Sequence, residues 1–128
     1  MEKKINLRRN IPEVIETLTR MSDEIAGIYG DVLDEVILYG SYAYGGQNEE
    51  SDIDIALMLK EGETEQMHEA MHELVVDYEL NMGVTLSVIS IEFSNYLKWH
   101  EVLPFYKNID SEGIVLWKAC VDKEIIEE

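Results

Sequence analysis

Apolar residues recur at helical spacing from position 11 onward. Ile11, Val14, Ile15, Leu18, Met21, Ile25 and Ile28 share one face, and the pattern predicts a helix over 11–29. Asn10 suits its N-cap, Pro12 its first turn and Gly30 its stop. The period then shortens. Residues 35–39 form a β-rich run that ends at Gly40. Residues 51–59 alternate polar and apolar before turning wholly apolar, as a central strand with one wet end does. After the break at Gly62, a second helix is predicted over 63–82, with Met67, Ala70, Met71, Leu74, Val75 and Tyr78 on its apolar face and Gly83 as its stop. Residues 84–89 read as a third strand, and Ser90 as the cap of a helix running to about Trp99. Pro104 opens a last short helix, and residues 114–117 read as a fourth strand at a sheet edge.

This order predicts an α/β (α+β) fold, with a mixed central sheet of about four strands and flanking helices. The connection between the first two strands is too short for a long helical crossover, so those strands pair antiparallel or carry a short helix between them. No repeat or Gly/Ser linker divides the chain, and the two prolines stand at 12 and 104. One domain over residues 1–128 is expected.

Composition narrows the class. Of the 128 residues 46% are apolar, enough for one modest core, and the formal charge is −17. No apolar run approaches the roughly 20 residues of a membrane span. The first residues lack the apolar stretch of a signal peptide, so the cytoplasm is the expected compartment. Cys120 is the one cysteine, which excludes an internal disulfide framework. The acidic balance argues against a nucleic-acid backbone as main ligand, since phosphate neutralisation needs clustered Lys and Arg. Lys3, Lys4, Arg8 and Arg9 form a small basic cluster, read as a solvated terminus. A strongly acidic body suits a protein that recruits a divalent cation or meets a basic partner.

The segment from Gly40 to Asp54 carries the chemistry. Gly40 and Ser41 follow a strand, where a missing Cβ lets a phosphate approach backbone N–H groups. Asp52 and Asp54 stand two apart on a strand, so both carboxylates point to one face while Ile53 and Ile55 point into the core. Paired carboxylates repel unless a cation neutralises them. A hard cation held by one or two carboxylates plus substrate phosphates is the usual Mg²⁺ arrangement. A phosphate cradle facing such a pair implies phosphoryl or nucleotidyl transfer.

The string Gly40-Ser41, ten residues, then Asp52-Ile-Asp54 resembles the signature of the DNA polymerase beta-like nucleotidyltransferase superfamily, and the chain is similar in length to its minimal nucleotidyltransferases. The close likeness covers residues 36–59. A weaker one extends to the third strand and to residues 103–114. The resemblance implies the nucleotidyltransferase fold, with Gly40, Ser41, Tyr42, Tyr44 and Ser51 at the nucleotide phosphates and Asp52 and Asp54 as catalytic ligands of up to two Mg²⁺ ions. The implied reaction is transfer of a nucleoside monophosphate from ATP or another NTP to an acceptor hydroxyl. The implied partner is a HEPN-type toxin neutralised by an antitoxin of this kind. Aminoglycoside modification is another activity of the family, and homo-oligomerisation stays open. Two departures stand out. Tyr42 and Tyr44 occupy places where many members carry Arg. The family's third carboxylate falls on the next core strand, at Thr85 or Ser87, and neither is acidic. Asp77, Glu79 and Glu92 lie outside that strand and replace it only if the fold bends them in. The alternative reading is a module that binds nucleotide or a partner without catalysis.

A competing pattern is His68-Glu-Ala-Met-His72, which matches HExxH. Two imidazoles four apart on a helix can hold Zn²⁺, with Glu69 as base and Glu92 as a third ligand. The bland reading, a charged helix flank, is favoured because both histidines lie beside the apolar stripe. His100 and Cys120 show no partner at telling spacing.

Overall fold

The computed structural model describes residues 11–40 and 52–119. Helix α1 spans Ile11–Tyr29, strand β1 Leu33–Tyr39, strand β2 Ile53–Leu59 and helix α2 Glu65–Met82. Strand β3 spans Leu86–Glu92, helix α3 Phe93–Trp99, helix α4 Pro104–Glu112 and strand β4 Ile114–Lys118. The sheet order is β3-β2-β1-β4, with β2 parallel to β3 and β1 antiparallel to both β2 and β4. The mixed sheet and the antiparallel β1–β2 pair agree with expectation, and β4 lies at an edge. No helix among the described residues is long and apolar enough to cross a membrane.

Alternation along the strands divides the core in two. Val36 and Leu38 of β1, with Ile53, Ile55, Leu57 and Leu59 of β2, face one side. There they meet Val14, Leu18, Met21 and Ile25 of α1 and Met71 and Val75 of α2. Ile37 of β1, Ala56 and Met58 of β2 and Ile91 of β3 face the other, where Tyr96 of α3 and Ile109 of α4 cover them. Every residue of β2 is buried except Asp54, which is half-buried. That is the central strand with one wet end.

The boundaries shift for identifiable reasons. Helix α2 starts at Glu65, two residues later than expected, because the Thr64 hydroxyl caps it by accepting the Met67 N–H at 3.1 Å. Glu63 is left outside the helix. Its carboxylate accepts the Tyr29 hydroxyl at 2.5 Å and the Ser90 hydroxyl at 3.3 Å, tying the end of α1 to β3. Ser90 therefore braces the strand instead of capping a helix. β3 runs on to Glu92, pairing with all seven residues of β2, from Ile53↔Leu86 to Leu59↔Glu92. It also starts late, at Leu86, whose N–H donates to the Glu79 carboxylate at 2.8 Å. On α2 the buried residues are Met71, Val75 and Met82, while Ala70 is exposed. At 100° per residue Ala70 lies too far round from Met71 to reach α1.

The core makes one prediction. Ile55 is fully buried at the centre of the sheet, whereas Leu80 is 77% exposed. Ile55→Ala is expected to lower unfolding free energy by about 2–5 kcal/mol, against about 0.5 kcal/mol or less for Leu80→Ala. Denaturant unfolding monitored by Trp fluorescence measures both, and equal losses would contradict this core assignment.

Candidate active site

The candidate site sits where β1 ends and β2 begins. Register places Tyr39 of β1 opposite Asp54 of β2, and Asp54 opposite Ser87 of β3. Directly paired residues present their side chains to the same face, so Tyr39, Asp54 and Ser87 form a row across three strands. It lies on the sheet face that carries Ala56 and Met58, opposite the α1 side.

Gly40 follows Tyr39 with φ +78°, left-handed backbone that side chains rarely tolerate. A Cβ there would come within 2.5 Å of Asp54 Oδ2. Glycine is thus favoured for two separate reasons, and the room left by its missing side chain is taken up on one side by the Asp54 carboxylate. Ser41, Tyr42, Tyr44 and Ser51 lie outside the described residues, as do Asn10 and Cys120.

Among the described residues no Lys or Arg forms an ion pair with a carboxylate at this end. Burial raises the Asp54 carboxyl above its ordinary value, and the neighbouring Asp52 charge raises it further. Tyr39 is likewise raised, by burial and then by the Asp54 charge. The structure therefore brings Asp52 and Asp54 close enough to repel, although Asp52 itself is exposed and precedes the strand. Two crowded, hard oxygen donors suit a hard divalent ion. Among the described residues no group of three or more potential metal ligands occurs. Tyr39 is a neighbour that pattern reading passed over. Counting antiparallel register back from Asp54 would have found it.

Of the other acids, Glu79 reaches this end of the sheet, where its carboxylate accepts the Leu86 N–H at 2.8 Å and Leu86 pairs with Ile53. Asp77 is exposed on α2. Glu92 pairs with Leu59 at the far end of β3, about 17 Å from Ser87 at strand rise. Thr85 is exposed and gives its carbonyl to the Ile53 N–H at 2.9 Å, while half-buried Ser87 faces Asp54's side of the sheet. The HExxH pattern also fails to assemble. His68 and His72 are exposed, and His68 Nδ1 lies 3.2 Å from the Glu63 carboxylate. Glu92 lies instead beside Gly62, where an added Cβ would come within 3.1 Å of its Oε2.

Residues 28–119 match the family described as Polymerase beta, Nucleotidyltransferase. The chain belongs to that family and is a nucleotidyltransferase. It is 36% identical over 77 residues to a candidate protein adenylyltransferase of Methanocaldococcus jannaschii, spanning 60% of this chain and 78% of that one. Its fold is similar to that of a chain from a toxin–antitoxin crystal structure with AMP-PNP, at TM-score 0.54 and 19% identity over 84% of this chain and 78% of that one. It is also similar to a chain of the complex between a tri-AMPylated Shewanella oneidensis HEPN toxin and an MNT antitoxin, at TM-score 0.50 and 15% identity over 87% of this chain and 78% of that one. These two likenesses are of fold.

The raised Asp54 carboxyl has a stability consequence. A folded-state value above the unfolded one gives stability that is present below the unfolded value and lost as pH rises through the folded one. Ionised Asp54 therefore costs the metal-free protein stability at neutral pH. Asp54→Asn is expected to raise its Tm at pH 7 in EDTA, with a gain that shrinks as the pH falls through the Asp54 titration. Scanning calorimetry across that range tests it, and an unchanged or lower Tm at pH 7 would contradict it.

Proposed function

We propose that this nucleotidyltransferase moves AMP from ATP to a hydroxyl on a partner protein, as an adenylylating antitoxin would. Asp54 carries the reading. It is a half-buried carboxylate at the wet end of the central strand, raised by burial and then by Asp52, and bordered by a glycine in left-handed backbone that a side chain would strain. Protein substrates are supported by the adenylyltransferase name of the relative, and a HEPN-type toxin as partner by the fold shared with the antitoxin complex.

In this reading Asp52 and Asp54 hold Mg²⁺, and Gly40, Ser41, Tyr42, Tyr44 and Ser51 receive the triphosphate. Bound Mg²⁺ supplies charge neutralisation and polarises phosphate oxygens. The acceptor oxygen bonds to the α-phosphorus, the bond to the β-phosphate oxygen breaks, and pyrophosphate leaves. The acceptor's proton passes to water, because Ser87 stands where a carboxylate would take it. Tyr39 walls the site beside Asp54, and its raised phenol stays protonated at neutral pH and adds no charge against the triphosphate.

Calorimetric titration with ATP tests the site. Micromolar binding is expected with Mg²⁺, and loss of at least tenfold, about 1.4 kcal/mol, without the metal or in Asp52→Asn/Asp54→Asn. Binding that ignores both the metal and the carboxylates would sink the assignment. A second test concerns the missing acid. Ser87→Asp is expected to raise the rate of AMP transfer to the partner by about 10²-fold or more if proton removal limits it. An unchanged rate would show that the acceptor needs no base from this strand.

A further inference from the structure

A second feature lies on the same sheet face as Asp54 but near the start of β1. A cavity of about 290 Å³ opens there, floored by Ile37 and Met58, walled by Phe93 and Tyr96 of α3, and rimmed by Asp34 and Glu35. Its size is at the bottom of the range of small-molecule pockets, about 300–1,000 Å³, and suits one or two anchoring side chains. The wall continues outward as exposed apolar surface. Phe93 is 40% exposed, and Leu97, one turn further along α3, is 55% exposed. Phe93 is held in place by stacking on Tyr96, with ring centroids 5.8 Å apart, and Tyr96 in turn packs edge-on against Tyr106.

The charges select the occupant. Asp34 enters no ion pair among the described residues, and Glu35 has the exposed Lys118 ammonium at 3.6 Å. An Arg or Lys end entering the cavity would meet carboxylate oxygens at its rim and the Phe93 ring at its wall. A second copy of this chain, itself at −17, would bring like charge against like. We propose that this groove docks a cationic, amphipathic helix of a partner protein, with a basic side chain in the cavity and apolar residues along Phe93 and Leu97. A helix seated there lies over the sheet face that carries Asp54, about 13 Å along β1 from Tyr39. The docking is independent of nucleotide chemistry and stands or falls without turnover.

The test uses the full chain without nucleotide and a labelled synthetic helical peptide, Leu on one face and Arg on the other, read by fluorescence anisotropy. Its counterpart has Glu for Arg. Binding of the Arg peptide is expected to weaken about tenfold in Phe93→Ala, Leu97→Glu and Asp34→Asn, and to be unchanged in Asp77→Asn and Leu80→Ala on α2. Asp34→Asn keeps the fold, because the bond from the Ala119 N–H goes to the Asp34 backbone carbonyl. Leu97→Glu serves if loss of the Phe93 ring unfolds α3. Equal affinity across all variants would mean general attraction to an acidic body and overturn the proposal. So would equal binding of the Glu peptide, or a wild-type dimer in sedimentation that Leu97→Glu dissociates.

Discussion

β2 is paired along both edges and covered on both faces, and the rest of the structure is arranged around it. All seven of its residues pair with β3 on one side, and Asp54 to Leu59 pair with β1 on the other. A strand in that position has no solvent face, so its side chains must be apolar or make polar contacts that justify burial. Six of the seven are apolar and buried. Asp54 is the exception, and the sheet accommodates it only because β2 begins there, with Gly40 alongside at the end of β1. Moving that carboxylate one residue inward would bring it under α1, where nothing could balance its charge.

The same constraint accounts for the electrostatic character of the site. A carboxylate beside Asp52 and partly withdrawn from water is held in an unfavourable charged state by the backbone around it. A pair of this kind is destabilising by itself and complementary to a hard cation. Stability given up here is recovered elsewhere, chiefly in the two apolar layers and in the Glu63 carboxylate that ties α1 to β3.

The two faces of the sheet divide the work. α1 and α2 close one face with aliphatic packing. The other is covered by the short helices α3 and α4 through aromatic contacts of Tyr96 and Tyr106, and it carries Asp54 and the groove beside Phe93. Short helices bury less area, which leaves Phe93 and Leu97 partly in solvent on the side that also carries the candidate chemistry.

By itself the sequence determined the long helix over 11–29, the strands on either side of the Gly40–Asp54 segment and the pairing of Asp52 with Asp54. Each rests on local periodicity or on spacing within a few residues. It also showed that Thr85 and Ser87 are not acidic. Only the tertiary structure decided that β3 reaches Glu92, that Ser90 and His68 serve Glu63 rather than a cap or a metal, and that Tyr39 and Ser87 flank Asp54. Register between strands remote in the chain follows from packing two faces at once, and no local pattern encodes it. For the same reason Glu79 and Glu92, both within reach of the third strand in sequence, are sent by the fold to opposite ends of it.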